Sequence, residues 1–337
     1  MLKSVACASG ALVAVSWAYL RHIQLAPGPS RLEWDRLVFG HRGCREMAGI
    51  PENTLEAFQY AHNNGANGIE LDVRLTKDKQ MVIFHDSYTS PTLESEPKRL
   101  VSSFSLHELK AMRYCDDLSG ETKIPTLEEA ILFCKDNYLQ VLIEVKERQD
   151  PKTLITNLLE LYEKHGVEYM YDNTTVICFS PFVLYALRKR NPRIAVGQLH
   201  SGELLTHWAS VSHIEPVPMI IERGPTRAMD VLLNWIQSVV APWVVGVSMM
   251  LPKKHLYDHD VWLKWTRRRK CIFLWGFTNE MDVADMFTPE MRRIGVSVIV
   301  DGKYAAYGAY IQQAKEEELE ARRAQKAAER ERQKENW

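Results

Sequence analysis

Between Gly40 and Asp86 the chain places titratable side chains at or near the ends of three short apolar runs. His41 and Arg42 follow the run 37–39, Glu70 and Asp72 lie two apart in 69–73, and His85 and Asp86 close 81–84. Side chains alternate along a strand, so Glu70 and Asp72 point the same way, roughly 6.6 Å apart at the backbone. Two carboxylates on one face, with apolar Leu71 opposite, are costly to desolvate together unless a cation neutralises them. Their hard oxygens suit Mg2+ or Ca2+. Imidazole titrates near neutral pH, so two histidines can serve as general base and general acid. The planar fork of donors on Arg42 suits a phosphate. Taken singly, each residue has a plainer reading: an E-x-D pair on a solvated strand face, a histidine hydrogen-bonded in a loop. Together and in order, they read as metal-assisted phosphate chemistry.

Such groups need strands to carry them, and in a β/α barrel the strand ends on one face carry the chemistry. Leu55, Phe58 and Ala61 recur at helical spacing and predict a helix over 53–62 with Asn53 as N-cap. Residues 69–73 make the second strand, and only 74–80 separate it from the third, too few for a helical crossover. Strict alternation therefore fails between strands 2 and 3. A helix at 126–137 follows Pro125, and the strand 140–146 carries Glu144 and Lys146 at i and i+2, facing one way. Then come a helix at 153–165, a strand at 175–179, a helix at 181–190 and a strand at 194–199. Residues 200–242 exceed a simple connection plus one helix. Strands at 243–249, 271–277 and 296–300 complete the pattern, giving nine candidates for eight barrel positions. Within 229–240, Val231, Leu232, Trp235, Ile236, Val239 and Val240 fall broadly on one side. That segment is either a membrane-facing amphipathic helix or an ordinary barrel helix leading into the strand 243–249. The fold class expected is α/β, a TIM (β/α)8-type barrel, irregular between strands 2 and 3, with an apolar insertion before strand 7.

The motifs H-R-G (41–43), P-E-N-T (51–54), E-L-D (70–72) and H-D (85–86) resemble the glycerophosphodiester phosphodiesterase family. The likeness continues through I-E-V-K (143–146), V-I-C-F-S-P (176–181) and W-G-F-T-N (275–279), and the apolar segments look most like its membrane-associated glycerophosphoinositol phosphodiesterase subgroup. The resemblance implies that His41 and His85 are the acid–base pair. It implies that Glu70, Asp72 and Glu144 hold a divalent cation, with Mg2+ ahead of Ca2+. Arg42 and Lys146 would contact the phosphate, with Glu52 and Asn53 supporting the site. The family has W-x-x-N late in the chain, whereas here three residues separate Trp275 from Asn279.

The formal net charge of −1 gives no case for nucleic-acid binding. The six cysteines show no C-x-x-C pairing, which argues against a structural zinc site and leaves redox state open. Residues 4–20 carry no charge, a length at the lower edge for a spanning helix. They suit a membrane anchor, or a cleaved signal with Ser16-Trp17-Ala18 as the small-x-small site. The expected organisation is anchor or signal (1–24), linker (25–36), barrel (37–311) and charged tail (312–337). Asn173-Thr174-Thr175 is an N-glycosylation sequon preceding a strand, on the barrel face away from the chemistry. Together with the run 4–20 it points to a membrane-associated enzyme, at an endomembrane or the plasma membrane, with a lumenal or extracellular catalytic domain; the opposing reading is a cytosolic domain with an unused sequon. Three functions follow: metal-dependent hydrolysis of glycerophosphodiesters such as glycerophosphoinositol to glycerol 3-phosphate and an alcohol; lysophospholipase D action on lysophospholipids or their N-acyl forms; or an inactive membrane-tethered interaction module.

Overall fold

The computed structural model describes residues 14–34, 36–95, 97–147, 149–202, 231–258 and, with gaps, 263–324. Most of the apolar run 4–20, part of the segment before strand 7 and most of the charged tail lie outside them. The strands described are β1 (Val38–His41), β2 (Gly68–Leu75), β3 (Met81–Ile83), β4 (Gln140–Val145), β5 (Thr174–Cys178), β6 (Val196–His200), β7 (Met249–Pro252), β8 (Cys271–Leu274) and β9 (Val296–Val300). The chain divides into two compact units, one of residues 36–141 and 277–337, the other of residues 1–35 and 142–276.

In the first unit β1 runs parallel between β2 and β9, in a register that sets His41 opposite Glu70 and Gly40 opposite Val300. β2 is almost continuously buried, as expected of a strand covered on both faces. Leu71, Ile69 and Phe39 are fully buried, each worth about 1.5–3 kcal/mol relative to exposure. β3 returns antiparallel to β2, pairing Val73 with Ile83 and Leu75 with Met81. A tight turn, with Thr76 N donating to Gln80 O (3.0 Å), explains why seven residues suffice. The surplus among the nine strands is thus this hairpin partner. Residues after β3 build a satellite core from Phe84, Leu93, Phe104, Leu109, Tyr114 and Ile124.

The helix Leu55–Asn63 is capped by Thr54, whose hydroxyl accepts from Ala57 N, and not by Asn53. Asn53 adopts φ 59° and turns its amide elsewhere. The helix Leu127–Asp136 opens with a reciprocal capping box between Thr126 and Glu129.

In the second unit β5, β6, β7 and β8 pair in parallel succession. The helices Pro151–His165 and Pro181–Arg190 both begin on proline, where its missing N–H costs nothing. The expected strand 243–249 is overturned. Residues 231–245 are helical, π-helical over Ile236–Val240, and β7 begins only at Met249. The β-branched run Val244-Val245 suggests a strand, but Pro242 sits in the first turn of the short α-helix Ala241–Val245 that follows the π-helical stretch, and Gly246 ends that helix at φ 67°, where a Cβ would lie 2.3 Å from Ala26 O. Val231, Leu232, Trp235, Ile236 and Val239 are exposed, while Gln237 turns inward and donates to Phe179 O and Leu199 O. Trp17 stacks on Trp243 at 5.2 Å. Among the described residues no helix is long and apolar enough to cross a membrane.

Candidate active site

At the end of β1 the backbone turns sharply through Arg42 (φ 51°) and Gly43 (φ 78°). A Cβ on Gly43 would meet the Cβ of Ala57 at 2.8 Å, so only glycine fits. Arg42 tolerates the left-handed conformation because its backbone is used there. Its N–H donates to Glu70 Oε2 (3.0 Å), and its carbonyl accepts from Asn53 N (2.9 Å). Two left-handed non-glycine residues, each costing on the order of 1 kcal/mol, therefore brace each other beside the acidic pair.

The acidic pair is deeply placed, Glu70 being 2% exposed and Asp72 1%. Asn53 holds Asp72 at both ends: its Nδ2 donates to Oδ2 (2.9 Å) and its Oδ1 accepts from Asp72 N (3.2 Å). The Arg42 guanidinium lies 2.7 Å from Glu52 Oε1 and 3.4 Å from Asp72 Oδ2. Burial alone would lower its pKa, but the charges of Asp72, Glu52 and Glu70 outweigh this and raise it. Arg42 is thereby a fixed cation in a frame of carboxylates. Glu70 and Asp72 form a buried, oxygen-only donor set that fits a hard divalent cation.

Both histidines are oriented by an aspartate. His41 Nδ1 lies 2.7 Å from Asp301 Oδ1, and Arg45 Nη1 reaches the other oxygen of Asp301 at 3.1 Å. His85 Nδ1 lies 2.8 Å from Asp86 Oδ1, whose other oxygen accepts from Thr92 Oγ1 (3.0 Å). With Nδ1 so engaged, Nε2 is the nitrogen left for proton transfer; on His41 it sits 3.9 Å from Glu70 Oε2. Burial lowers the pKa of His41, and the hydrogen bond to Asp301 opposes this. The Asp86 carboxyl is held below its usual range, chiefly by its hydrogen bond with His85. Arg74 fixes the backbone of His85, its Nε and Nη2 both donating to the His85 carbonyl (2.9 and 2.6 Å).

The first unit thus gathers His41, Arg42, Glu52, Asn53, Glu70, Asp72 and His85. Glu144 and Lys146 belong to the other unit at the end of β4, where Lys146 Nζ lies 2.7 Å from Glu144 Oε1, as same-face residues should. In that unit Phe179 meets Trp275 edge-on at 5.9 Å, and Trp275 Nε1 donates to Leu251 O (2.9 Å). Lys253 Nζ stands 6.0 Å from the Trp275 ring. Asn279 has a structural task, capping the helix Glu280–Asp285 by accepting from Asp282 N. Sequence reasoning missed Asp301, Arg45, Arg74 and Lys253. Asp301 had a signal, since it follows the apolar run 296–300 as His85 follows 81–84.

A model of the glycerophosphoryl diester phosphodiesterase family matches residues 41–301. Glycerophosphodiester phosphodiesterase 1 of Bos taurus is 29% identical over 269 residues, covering 76% of this chain and 78% of the relative. A glycerophosphodiester phosphodiesterase of Bacillus altitudinis is 38% identical over 182 residues, covering 53% of this chain and 64% of its own. Among solved structures, an Oleispira antarctica phosphodiesterase in complex with the product sn-glycerol-3-phosphate superposes with a TM-score of 0.63 at 19% identity, over 85% of this chain and all of that one. A glycerophosphodiester phosphodiesterase from Thermotoga maritima superposes with a TM-score of 0.53 at 23% identity, over 82% of this chain and 98% of that one. At these identities the superpositions speak for the fold, which is the TIM barrel.

Proposed function

We propose that this chain, which belongs to the glycerophosphoryl diester phosphodiesterase family and is a phosphoric diester hydrolase, cleaves glycerophosphodiesters to glycerol 3-phosphate and an alcohol with the help of a divalent cation. The observation that carries this reading is the pair of histidines, each with Nδ1 held by an aspartate, flanking a buried carboxylate pair and a fixed arginine. In the reaction, Nε2 of one histidine takes a proton from a water, or from a glycerol hydroxyl, as its oxygen attacks phosphorus; attack by the hydroxyl leaves a cyclic phosphate, which a water then opens to glycerol 3-phosphate with the two histidines exchanging roles. The other histidine donates a proton to the alcohol oxygen as its bond to phosphorus breaks. Glu70, Asp72 and Glu144 are the residues proposed to hold the cation, with Mg2+ ahead of Ca2+. Bound there, it would withdraw charge from the phosphate oxygens. Arg42 and Lys146 hold the phosphate, while Glu52 and Asn53 keep Arg42 and Asp72 in position. Release of glycerol 3-phosphate from glycerophosphoinositol by the purified chain, dependent on added Mg2+, tests this; no release from any glycerophosphodiester would overturn it.

A second reading keeps the site and changes the substrate to a lysophospholipid or its N-acyl form. The outward apolar face of 231–239, opposite inward Gln237, favours a lipid surface over an ordinary barrel helix. We propose membrane association through this face and the run 4–20, with the catalytic domain lumenal or extracellular and Asn173 glycosylated. Comparing glycerophosphoinositol with a lysophospholipid as substrate distinguishes the two readings.

A further inference from the structure

We propose that Arg45 is a positioning residue of the reaction, acting on His41 through Asp301. This rests on the function proposed above and adds a residue that works at one remove from the reacting atoms.

The terminal torsion of an aspartate is broad, so a single contact leaves its carboxylate free to turn. His41 Nδ1 engages only Oδ1 of Asp301. Arg45 Nη1 donates to Oδ2 at 3.1 Å, which fixes the plane of the carboxylate and with it the ring of His41. The other histidine has the same construction, for Asp86 gives Oδ1 to His85 and Oδ2 to Thr92. In each case a histidine, an aspartate and a donor to the second oxygen form a row. The donor is what differs, a neutral hydroxyl on the His85 side and a guanidinium on the His41 side.

Arg45 is itself held from both directions. Its Nη2 lies 3.2 Å from Glu46 Oε1, and Lys303 Nζ donates to Glu46 Oε2 at 3.0 Å. Its backbone N–H donates to His41 O (3.0 Å), and its carbonyl accepts from Gly302 N (2.7 Å). A Cβ on Gly302 would lie 2.7 Å from Cys44 O, so the turn after β1 sits directly on the end of β9. The backbone thus ties Arg45 to the two segments that carry His41 and Asp301. Stability does not account for this placement. The Arg45 side chain is 36% exposed, and an ion pair made by so exposed a group contributes little. The carboxylate it meets is 9% exposed, and there the contact counts. Burial raises the pKa of Asp301, but the hydrogen bond and charge of His41, and then the charge and hydrogen bond of Arg45, outweigh this and lower it. Asp301 is therefore held charged with both oxygens engaged.

The test is steady-state kinetics of the full chain on glycerophosphoinositol in the parent, Arg45→Met and Arg45→Lys, each with and without Asp301→Asn. Arg45→Met should lower kcat about tenfold and leave KM within about twofold. Arg45→Lys keeps a donor for Asp301 Oδ2 and should recover most of the loss. With Asp301→Asn already present, Arg45→Met should cost little more, because the two residues act in series. An unchanged kcat, or a full tenfold fall on top of that of Asp301→Asn, would overturn the proposal. So would a loss confined to KM, which would mark direct binding of substrate. Nuclear magnetic resonance of chain carrying isotope-labelled histidine reads the same contact without turnover. The Nδ1 proton of His41, identified by its loss in His41→Ala, should shift in Arg45→Met while that of His85 does not. If this shift is seen and no glycerophosphodiester is hydrolysed, the positioning stands and the proposed activity falls. A His41 resonance unmoved in Arg45→Met overturns the positioning.

Discussion

His41 and Asp301 meet through a 2.7 Å contact between Nδ1 and Oδ1, although 260 residues separate them in sequence. His85 and Asp86, adjacent in the chain, make the same contact at 2.8 Å. Each aspartate fixes its ring in the tautomer that leaves Nε2 open to a proton, and steadies the imidazolium that forms when one arrives.

Replacing Asp301 by Asn should lower kcat by about 10²-fold, the scale of a mispositioned proton-transfer group, with a smaller change in KM. It should also move to lower pH the limb of the pH profile that His41 governs, the acid limb if His41 is the base and the alkaline limb if it is the acid. Asp301 raises the pKa of His41 against the lowering by burial, so its loss leaves burial unopposed. A profile in which neither limb moves to lower pH would show that Asp301 does not act through His41.

His41→Ala and His85→Ala should each reduce the rate by about 10²–10⁴-fold. Steady-state assays on glycerophosphoinositol check this, and rates within a few-fold of the parent would remove either histidine from the mechanism.

Chelation should abolish activity and added Mg2+ restore it. Asp72→Asn removes charge while its amide still occupies the contacts with Asn53 and Arg42. It should therefore require much higher Mg2+ for any remaining turnover. Full activity of this variant without added metal would exclude Asp72 as a ligand.

On the membrane side, alkaline carbonate extraction should leave the chain with the pellet, and glycosidase should shift its mobility in the parent but not in Asn173→Gln. A soluble protein whose N-terminus begins near Tyr19 would instead establish a cleaved signal. No mobility shift, together with protease sensitivity outside intact microsomes, would place the domain in the cytosol.

Glu129 closes the capping box with Thr126 and also lies 2.6 Å from Lys110 Nζ. Burial would raise its pKa, but the hydrogen bonds from Lys110 and Thr126 outweigh this and lower it. A depressed folded-state pKa gives stability above the unfolded value of 4.5, lost as pH falls through the folded value. Glu129→Gln should cost about 0.5–1 kcal/mol in urea unfolding at pH 7, allowing for solvent screening. The difference should shrink as pH falls below 4.5 and close once the folded-state carboxyl is protonated.

Local pattern was a sound guide where the determinants are local. The i and i+2 carboxylates, the histidines at strand ends and the proline opening the helix at 181 depend on a few neighbouring residues, and all were legible, whereas the helix that Pro151 opens was expected only from 153. Asn53 was misread as a cap because Thr54, one residue on, was equally eligible; the amide of Asn53 was needed by Asp72. Residues 243–249 were misread because β-branched content outweighed the signals of Pro242 and Gly246. The antiparallel turn of β3 follows from pairing with β2, which spacing alone leaves undetermined. Asp301 was missed for the most physical of reasons: only the parallel register of β1 with β9 brings it to His41.

The hairpin of β2 and β3 has a kinetic consequence. It carries Glu70, Asp72, His85 and Asp86 in one contiguous stretch, whose closure costs little chain entropy. The opposite half of the proton-transfer pair requires β9 to return to β1 from the far end of the sequence, a long-range closure of the kind that slows folding. On refolding, one histidine should acquire its carboxylate partner early and the other late. Recovery of turnover should therefore track the arrival of β9 and lag behind the appearance of secondary structure.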